Sequence, residues 1–149
     1  MNTNYLNLIT SKKTDHWQTP KSLYKELDKE FNFDFDPCPL KSSFNGLQMD
    51  WGKRNFVNPP YTNITAFLKK SEKEIKNGNS NLCVFLLFSS TDTKWFHDYI
   101  YKKAEIRFIK GRIKFLNDKG LIQDRAMRPS MIVIFRKNLD RFYTPQTYI

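Results

Sequence analysis

Asn58-Pro59-Pro60-Tyr61 is the run whose residue types and order best suit chemistry. The Asn side chain offers a carbonyl acceptor. The backbone carbonyl of Pro59 offers a second, and consecutive prolines restrict the backbone and hold it in place. Tyr61 adds a flat face on which a base can stack, worth about 1–3 kcal/mol. Two acceptors set on the hydrogens of an exocyclic amine favour the geometry in which its delocalised lone pair becomes available. Neutral Asn is no strong base, so its part is to orient and polarise the nitrogen. A rigid Pro-Pro turn with a buried Tyr would be spelled the same way, so the surrounding elements must decide between the two.

Those elements read as strands alternating with helices. Arg54 to Val57 reads as a strand that delivers Asn58 at its end. Upstream, Thr19 suits an N-cap and Pro20 the first helical position, where its missing N–H is harmless. Leu23, Leu27 and Phe31 then lay one apolar stripe on a helix. Phe33 and Phe35 alternate with polar residues, as in a short strand ending at Asp36-Pro37. A brief strand is expected around Leu47 to Trp51. Past Tyr61, Thr62 or Asn63 can cap a helix carrying Ile64, Phe67, Leu68 and Ile75, closed by Gly78.

Leu82 to Phe88 is apolar on both faces, the pattern of a central parallel strand. Ser89 to Asp92 form a loop, and Trp95, Phe96, Tyr99 and Ile100 mark another helix, with its aromatics read as core. Glu105 to Ile109, Ile113 to Phe115 and Met131 to Phe135 close the chain with β structure. The order predicts an open α/β sheet with a mixed, partly antiparallel edge. Ligands of such sheets sit at the carboxyl ends of strands, so Asp36 and Asn58 are expected to face one crevice.

No glycine-rich G-x-G-x-x-G loop occurs. Asp36-Pro37-Cys38-Pro39 stands where one would be, and a carboxylate there can pair with a cationic group of a cofactor. An ordinary Asp-Pro turn reads the same way. Trp17-Gln18-Thr19-Pro20 is a second candidate, placing backbone and hydroxyl groups ahead of a helix start.

The net charge of +10 is unevenly spread. Residues 1–100 hold 13 basic and 11 acidic side chains, and residues 101–149 hold 12 and 4. Such asymmetry is expected of a protein that neutralises phosphates. Lys110, Arg112, Lys114, Arg125 and Arg128 are the candidate nucleic-acid contacts. At 149 residues the chain is read as one domain, with residues 1–15 a flexible leading segment and residues 136–149 a tail. Cys38, Cys83, His16 and His97 show no metal-ligand spacing. With no signal-peptide pattern and no apolar run beyond seven residues, a reduced cytoplasmic protein without metal or membrane span is expected.

In order, Trp17-x-Thr19-Pro20, Phe33-x-Phe35-Asp36-Pro37-Cys38, Asn45-Gly46-Leu47 with Trp51, Phe56-Val57-Asn58-Pro59-Pro60-Tyr61, Thr91-x-Thr93-x-Trp95-Phe96 and Ile109-x-Gly111-Arg112-Ile113-x-Phe115 resemble the small phage- and prophage-type, Dam-like DNA N6-adenine methyltransferases. The likeness runs from about Trp17 to Phe135. It implies a reduced, Rossmann-like methyltransferase fold with S-adenosylmethionine as cofactor and adenine N6 in double-stranded DNA as target. It also implies a catalytic loop at Asn58, Pro59, Pro60 and Tyr61. Cofactor contacts would come from Trp17, Thr19, Pro20, Asp36, Pro37 and Cys38. Asn45 stands where the family pattern often carries Asp, which speaks against a cofactor contact there. The same loop chemistry would serve RNA bases, cytosine N4 or glutamine amides. A nucleic-acid-binding relative that has lost catalysis is the rival from another class.

Overall fold

The computed structural model describes residues 17–117, 119–122, 126, 128–138 and 146–148, the last three by backbone alone. Among the described residues five strands form one mixed sheet: β1 (Arg54–Val57), β2 (Leu82–Phe88), β3 (Glu105–Phe108), β4 (Ser130–Arg136) and β5 (Gln146–Tyr148), in the order β1-β2-β4-β3-β5. β1 and β2 run parallel, as do β3 and β5, whereas β4 is antiparallel to both of its neighbours. The antiparallel strand expected at an edge is therefore in the middle. Met131 to Ile134 are fully buried and as apolar as β2, so burial on both faces suits β4 best there.

Two helices cover opposite faces. On α1 (Lys21–Phe31) the stripe ends in buried Leu27 and Phe31, which pack with Phe56, Val84, Leu86, Ile132 and Ile134. On α2 (Ile64–Lys76), Ile64, Phe67 and Leu68 pack with Val57, Cys83, Phe85, Leu87 and Val133. β2 thus sends alternate side chains into two cores, each full burial of a Leu or Phe stabilising by about 1.5–3 kcal/mol. Phe96 belongs to the second core, and Trp95 and Tyr99 pack against it half-buried. α1 ends at Asn32, whose left-handed φ of 54° Asn tolerates, and α2 is followed by Gly78 at φ 81°.

Several local expectations are corrected. The segment expected as a strand at Phe33 to Asp36 makes one bridge, Phe35 to Asn55 on the outer edge of β1. Pro37 has no N–H with which to extend it. Leu47 to Trp51 is turns, with the Trp51 N–H donating to the Glu74 carboxylate at 3.0 Å. Ile113 to Phe115 keeps its alternation, Ile113 and Phe115 buried and Lys114 exposed, but only single bridges join Leu116 to Gln18 and Ile122. The helix at Trp95 widens into a π-helical segment, Phe96–Ile100, where the Tyr101 N–H reaches the Phe96 carbonyl. Pro20 is the N-cap of α1 rather than its first residue, and its carbonyl accepts the Tyr24 N–H at 3.1 Å. Asn63 holds the cap position of α2 without a side-chain cap bond, behind a 3-10 turn at Tyr61–Asn63. Residues 1–15, expected to be flexible, lie outside the described residues, and β5 brings part of the expected tail into the sheet.

Candidate active site

Asn58 follows the last residue of β1, and Phe88 ends β2. Because the two strands are parallel, these residues stand at the same, carboxyl end of the pair. The Asn58 amide nitrogen donates to the Trp17 carbonyl at 2.7 Å and to the Thr19 hydroxyl at 3.1 Å. A carbonyl can only accept, so the nitrogen must face Trp17 and Oδ1 is turned the opposite way. The backbone N–H of Asn58 donates to the Cys38 sulfur. Thr19 does not cap the helix, as its type suggests; it holds the amide of Asn58 instead.

Two hollows meet at Asn58 and Trp17. The first, about 400 Å³, is lined by Trp17, Thr19, Tyr24, Asp36, Cys38 and Asn58 among others, and falls in the range of about 300–1,000 Å³ typical of small-molecule sites. Four of the six residues expected at a cofactor (Trp17, Thr19, Asp36 and Cys38) line it. Pro20 borders a shallow groove with Leu23, Ile113 and Lys114, and Pro37 is buried outside the lining. Burial raises the Asp36 carboxyl to about 6, against which the Cys38 N–H bond to Oδ1 at 2.9 Å acts. The Cys38 thiol is pushed well up by burial and by Asp36, which leaves it a protonated, apolar wall.

Asn45-Gly46-Leu47 and Trp51 brace this loop from behind. The Asn45 side chain accepts the Leu47 N–H at 3.0 Å, and Trp51 Nε1 donates to the Gly46 carbonyl at 2.7 Å. A Cβ on Gly46 would stand 1.7 Å from the Pro37 carbonyl oxygen, so only glycine lets the two backbones approach this closely.

The second hollow, about 30 Å³, is lined by Trp17, Asn58, Pro59 and Tyr61 with Phe88 and Phe115. It has room for about one or two water molecules. The Tyr61 ring centroid is 5.9 Å from that of Phe88, which meets Phe115 edge-on at 6.3 Å. Pro60 sits between loop and helix, its carbonyl accepting the Asn63 N–H at 2.9 Å. Phe88 and Phe115 were read from the sequence as strand residues and not as part of the site. The available signal was the parallel pairing of the two apolar segments, which brings the end of β2 to the same end of the sheet as Asn58.

Of the basic candidates, Lys110, Arg112 and Lys114 are exposed and line neither hollow. Lys114 borders the shallow groove, and Arg125 lies outside the described residues. Arg128 donates to the Tyr61 hydroxyl, its guanidinium carbon 5.1 Å from the Tyr61 ring centroid and 6.0 Å from that of Phe88. Not all of the positive charge of the last third faces outward. Arg107 pairs with Glu30 and Glu105 at 2.7 Å, and Arg136 with Glu105 at 2.5 Å. Among the described residues no group of three or more His, Cys, Asp or Glu is placed to hold a metal, and no helix is long and apolar enough to cross a membrane. Cys38 and Cys83 are buried free thiols.

No solved structure matches this chain. A DNA N-6-adenine-methyltransferase of Escherichia phage T1 is 26% identical over 152 residues, covering 83% of this chain. The matched part is 63% of that relative's length, so the chain spans under two-thirds of it. The family model described as DNA N-6-adenine-methyltransferase (Dam) matches residues 7–148, nearly end to end and across every element that builds the two hollows. With its Asn-Pro-Pro-Tyr loop held at the carboxyl end of β1 in a mixed α/β sheet, the chain belongs to the DNA N-6-adenine-methyltransferase (Dam) family.

Proposed function

We propose that this chain transfers a methyl group from S-adenosylmethionine to the N6 amino group of adenine at specific sites in double-stranded DNA. Residues 1–149 would act as a single methyltransferase domain built on a reduced Rossmann-like fold. The observation that carries the reading is the pinned amide of Asn58: both hydrogens of its nitrogen have acceptors, at 2.7 and 3.1 Å, on the boundary of the two hollows.

The larger hollow fits the cofactor in size and chemistry. Asp36 offers a carboxylate to a cationic amino or sulfonium group, while Trp17, Tyr24 and Cys38 offer apolar walls. When bound, S-adenosylmethionine supplies an electrophilic methyl group on sulfur. The chain's own residues prepare the nucleophile. Asn58 Oδ1 and the Pro59 carbonyl accept the two N6 hydrogens, and Tyr61 stacks on the extruded base, offsetting part of the few kcal/mol of extrusion. These residues would hold N6 facing the methyl group that the cofactor supplies, and the proton that N6 gives up on transfer would pass to water. Lys110, Arg112, Lys114, Arg125 and Arg128 supply positive charge for DNA phosphates.

The test is methyl transfer from labelled S-adenosylmethionine to unmethylated DNA, with digestion and mass spectrometry of the nucleosides. N6-methyladenine is expected, and it should vanish with Asn58→Ala. Label in cytosine N4, RNA or protein would move the reading to another amino substrate. Absence of label together with no calorimetric response to cofactor would favour a non-catalytic nucleic-acid binder.

A further inference from the structure

The base-side hollow is too small to admit a purine as it stands. Its outer wall is Tyr61, 42% exposed and lying against Phe88. Arg128 spans both rings from outside and donates to the Tyr61 hydroxyl, joining two segments 67 residues apart. Arg128 is itself exposed, and among the described residues no carboxylate pairs with it. Its guanidinium therefore keeps a charge whose better partner is a phosphate, to which it can bond bidentately.

We propose that Arg128 is a positioning residue that latches Tyr61 against Phe88 in the DNA-free protein and releases it when a DNA phosphate takes the guanidinium. The inference rests on the reading of Asn58 to Tyr61 as a base-holding loop. It links two events that would otherwise be separate. Binding of the DNA backbone, which needs no particular sequence, frees the ring on which a base must stack. A cation over an exposed aromatic ring holds by an amount that a charge-assisted phosphate bond outweighs, so the exchange runs toward release on DNA.

The experiment uses the full chain with fluorotyrosine in place of its seven tyrosines. Tyr61 is assigned in the ¹⁹F spectrum by its loss in Tyr61→Phe. A short duplex of arbitrary sequence is the probe, and its binding is followed separately by anisotropy. Arg128→Ala should shift the Tyr61 signal of the free protein. Adding duplex to the unmutated protein should move that signal to the Arg128→Ala position, while the variant's own signal stays put. Arg128→Lys, which keeps the charge but not the planar fork, should resemble Arg128→Ala without DNA and retain its salt dependence of binding.

A Tyr61 signal indifferent to Arg128→Ala would overturn the latch, as would equal DNA-induced shifts in both proteins. So would a duplex that binds without moving the signal of the unmutated protein. A duplex that does not bind at all would instead remove the DNA reading, and the latch with it. Arg128 is exposed, so neither substitution disturbs the core.

Discussion

The two hollows that share Asn58 are built in opposite ways. The larger cavity is about 400 Å³, walled by a braced loop, with the half-buried carboxyl of Asp36 already in place. The smaller slot is about 30 Å³, walled by rings from four separate segments, with Arg128 bonded to the Tyr61 hydroxyl from outside. A small ligand that binds from solution gains from a preformed site, because little ordering is left to offset. A base extruded from a duplex arrives only after the duplex has docked, so its slot need not stand open beforehand. Asn58 borders both with its amide fixed by Trp17 and Thr19, which belong to neither the strand nor the loop that carries it.

The sharpest way to break this comparison is at the shared residue. Asn58→Ala should lower methyl transfer by about a hundredfold or more, as losing one preorganised polar group commonly does, while DNA and cofactor affinities stay within a few-fold. Equal loss of binding and turnover would make Asn58 a structural residue and remove it from the boundary. Next in size is Gly46→Ala, whose Cβ must displace the Pro37 carbonyl. Overpacking of this kind costs about 1–3 kcal/mol in urea unfolding, and cofactor affinity should fall with it. Unchanged stability would mean that the cavity wall is not braced there.

The carboxylate tests the preformed side through pH. Asp36 stands at about 6 in the folded chain and near about 3.9 when unfolded. The folded state therefore holds the extra proton between these values. Without cofactor, its contribution to stability is complete below about 3.9 and is lost as pH rises through about 6. Affinity for cationic S-adenosylmethionine should move the other way, tightening through about 6 as the carboxylate forms. Asp36→Asn should flatten both curves, and a calorimetric pH series that leaves the affinity slope intact would take Asp36 out of the cofactor site.

A smaller effect is expected at Thr19. Thr19→Val removes one hydrogen bond to Asn58, about 1 kcal/mol, so kcat should fall about fivefold with little change in cofactor affinity. Thr19→Ser should restore it, and a loss confined to KM would indicate a ligand contact instead. The smallest changes belong to the exposed charges. Arg112→Ala and Lys114→Ala should each weaken DNA binding evenly across sequences and reduce the salt slope by about one. An unchanged slope would leave them outside the interface.

Much of the scaffold was legible because it obeys local periods. The three- and four-residue recurrence of Leu23, Leu27 and Phe31, and of Ile64, Phe67 and Leu68, placed both helices. The all-apolar run Leu82 to Phe88 placed a strand buried on both faces. The apolar residues before Asn58 put the loop at a strand end, and Asp36 was expected in the same crevice, which it lines. Misreadings fell where one local rule met another or a distant partner. Phe33 to Asp36 alternates like a strand, yet Pro37 ends its pairing after one bridge. Thr19 has the chemistry of a cap, yet its hydroxyl serves an amide 39 residues away.

By itself, then, the sequence determined where the two helices and β1 to β4 run, which of their faces are apolar and which residues carry acceptor, aromatic and charged groups. These depend on side-chain type and on periods of two or 3.6 within one segment. Only the tertiary structure decided that Trp17 and Thr19 pin Asn58, that Gly46 must meet Pro37 without a side chain, and that Arg128 reaches Tyr61. Each of the three joins separate segments, and which segments meet follows from how the helices and strands pack together, a relation that no local period records.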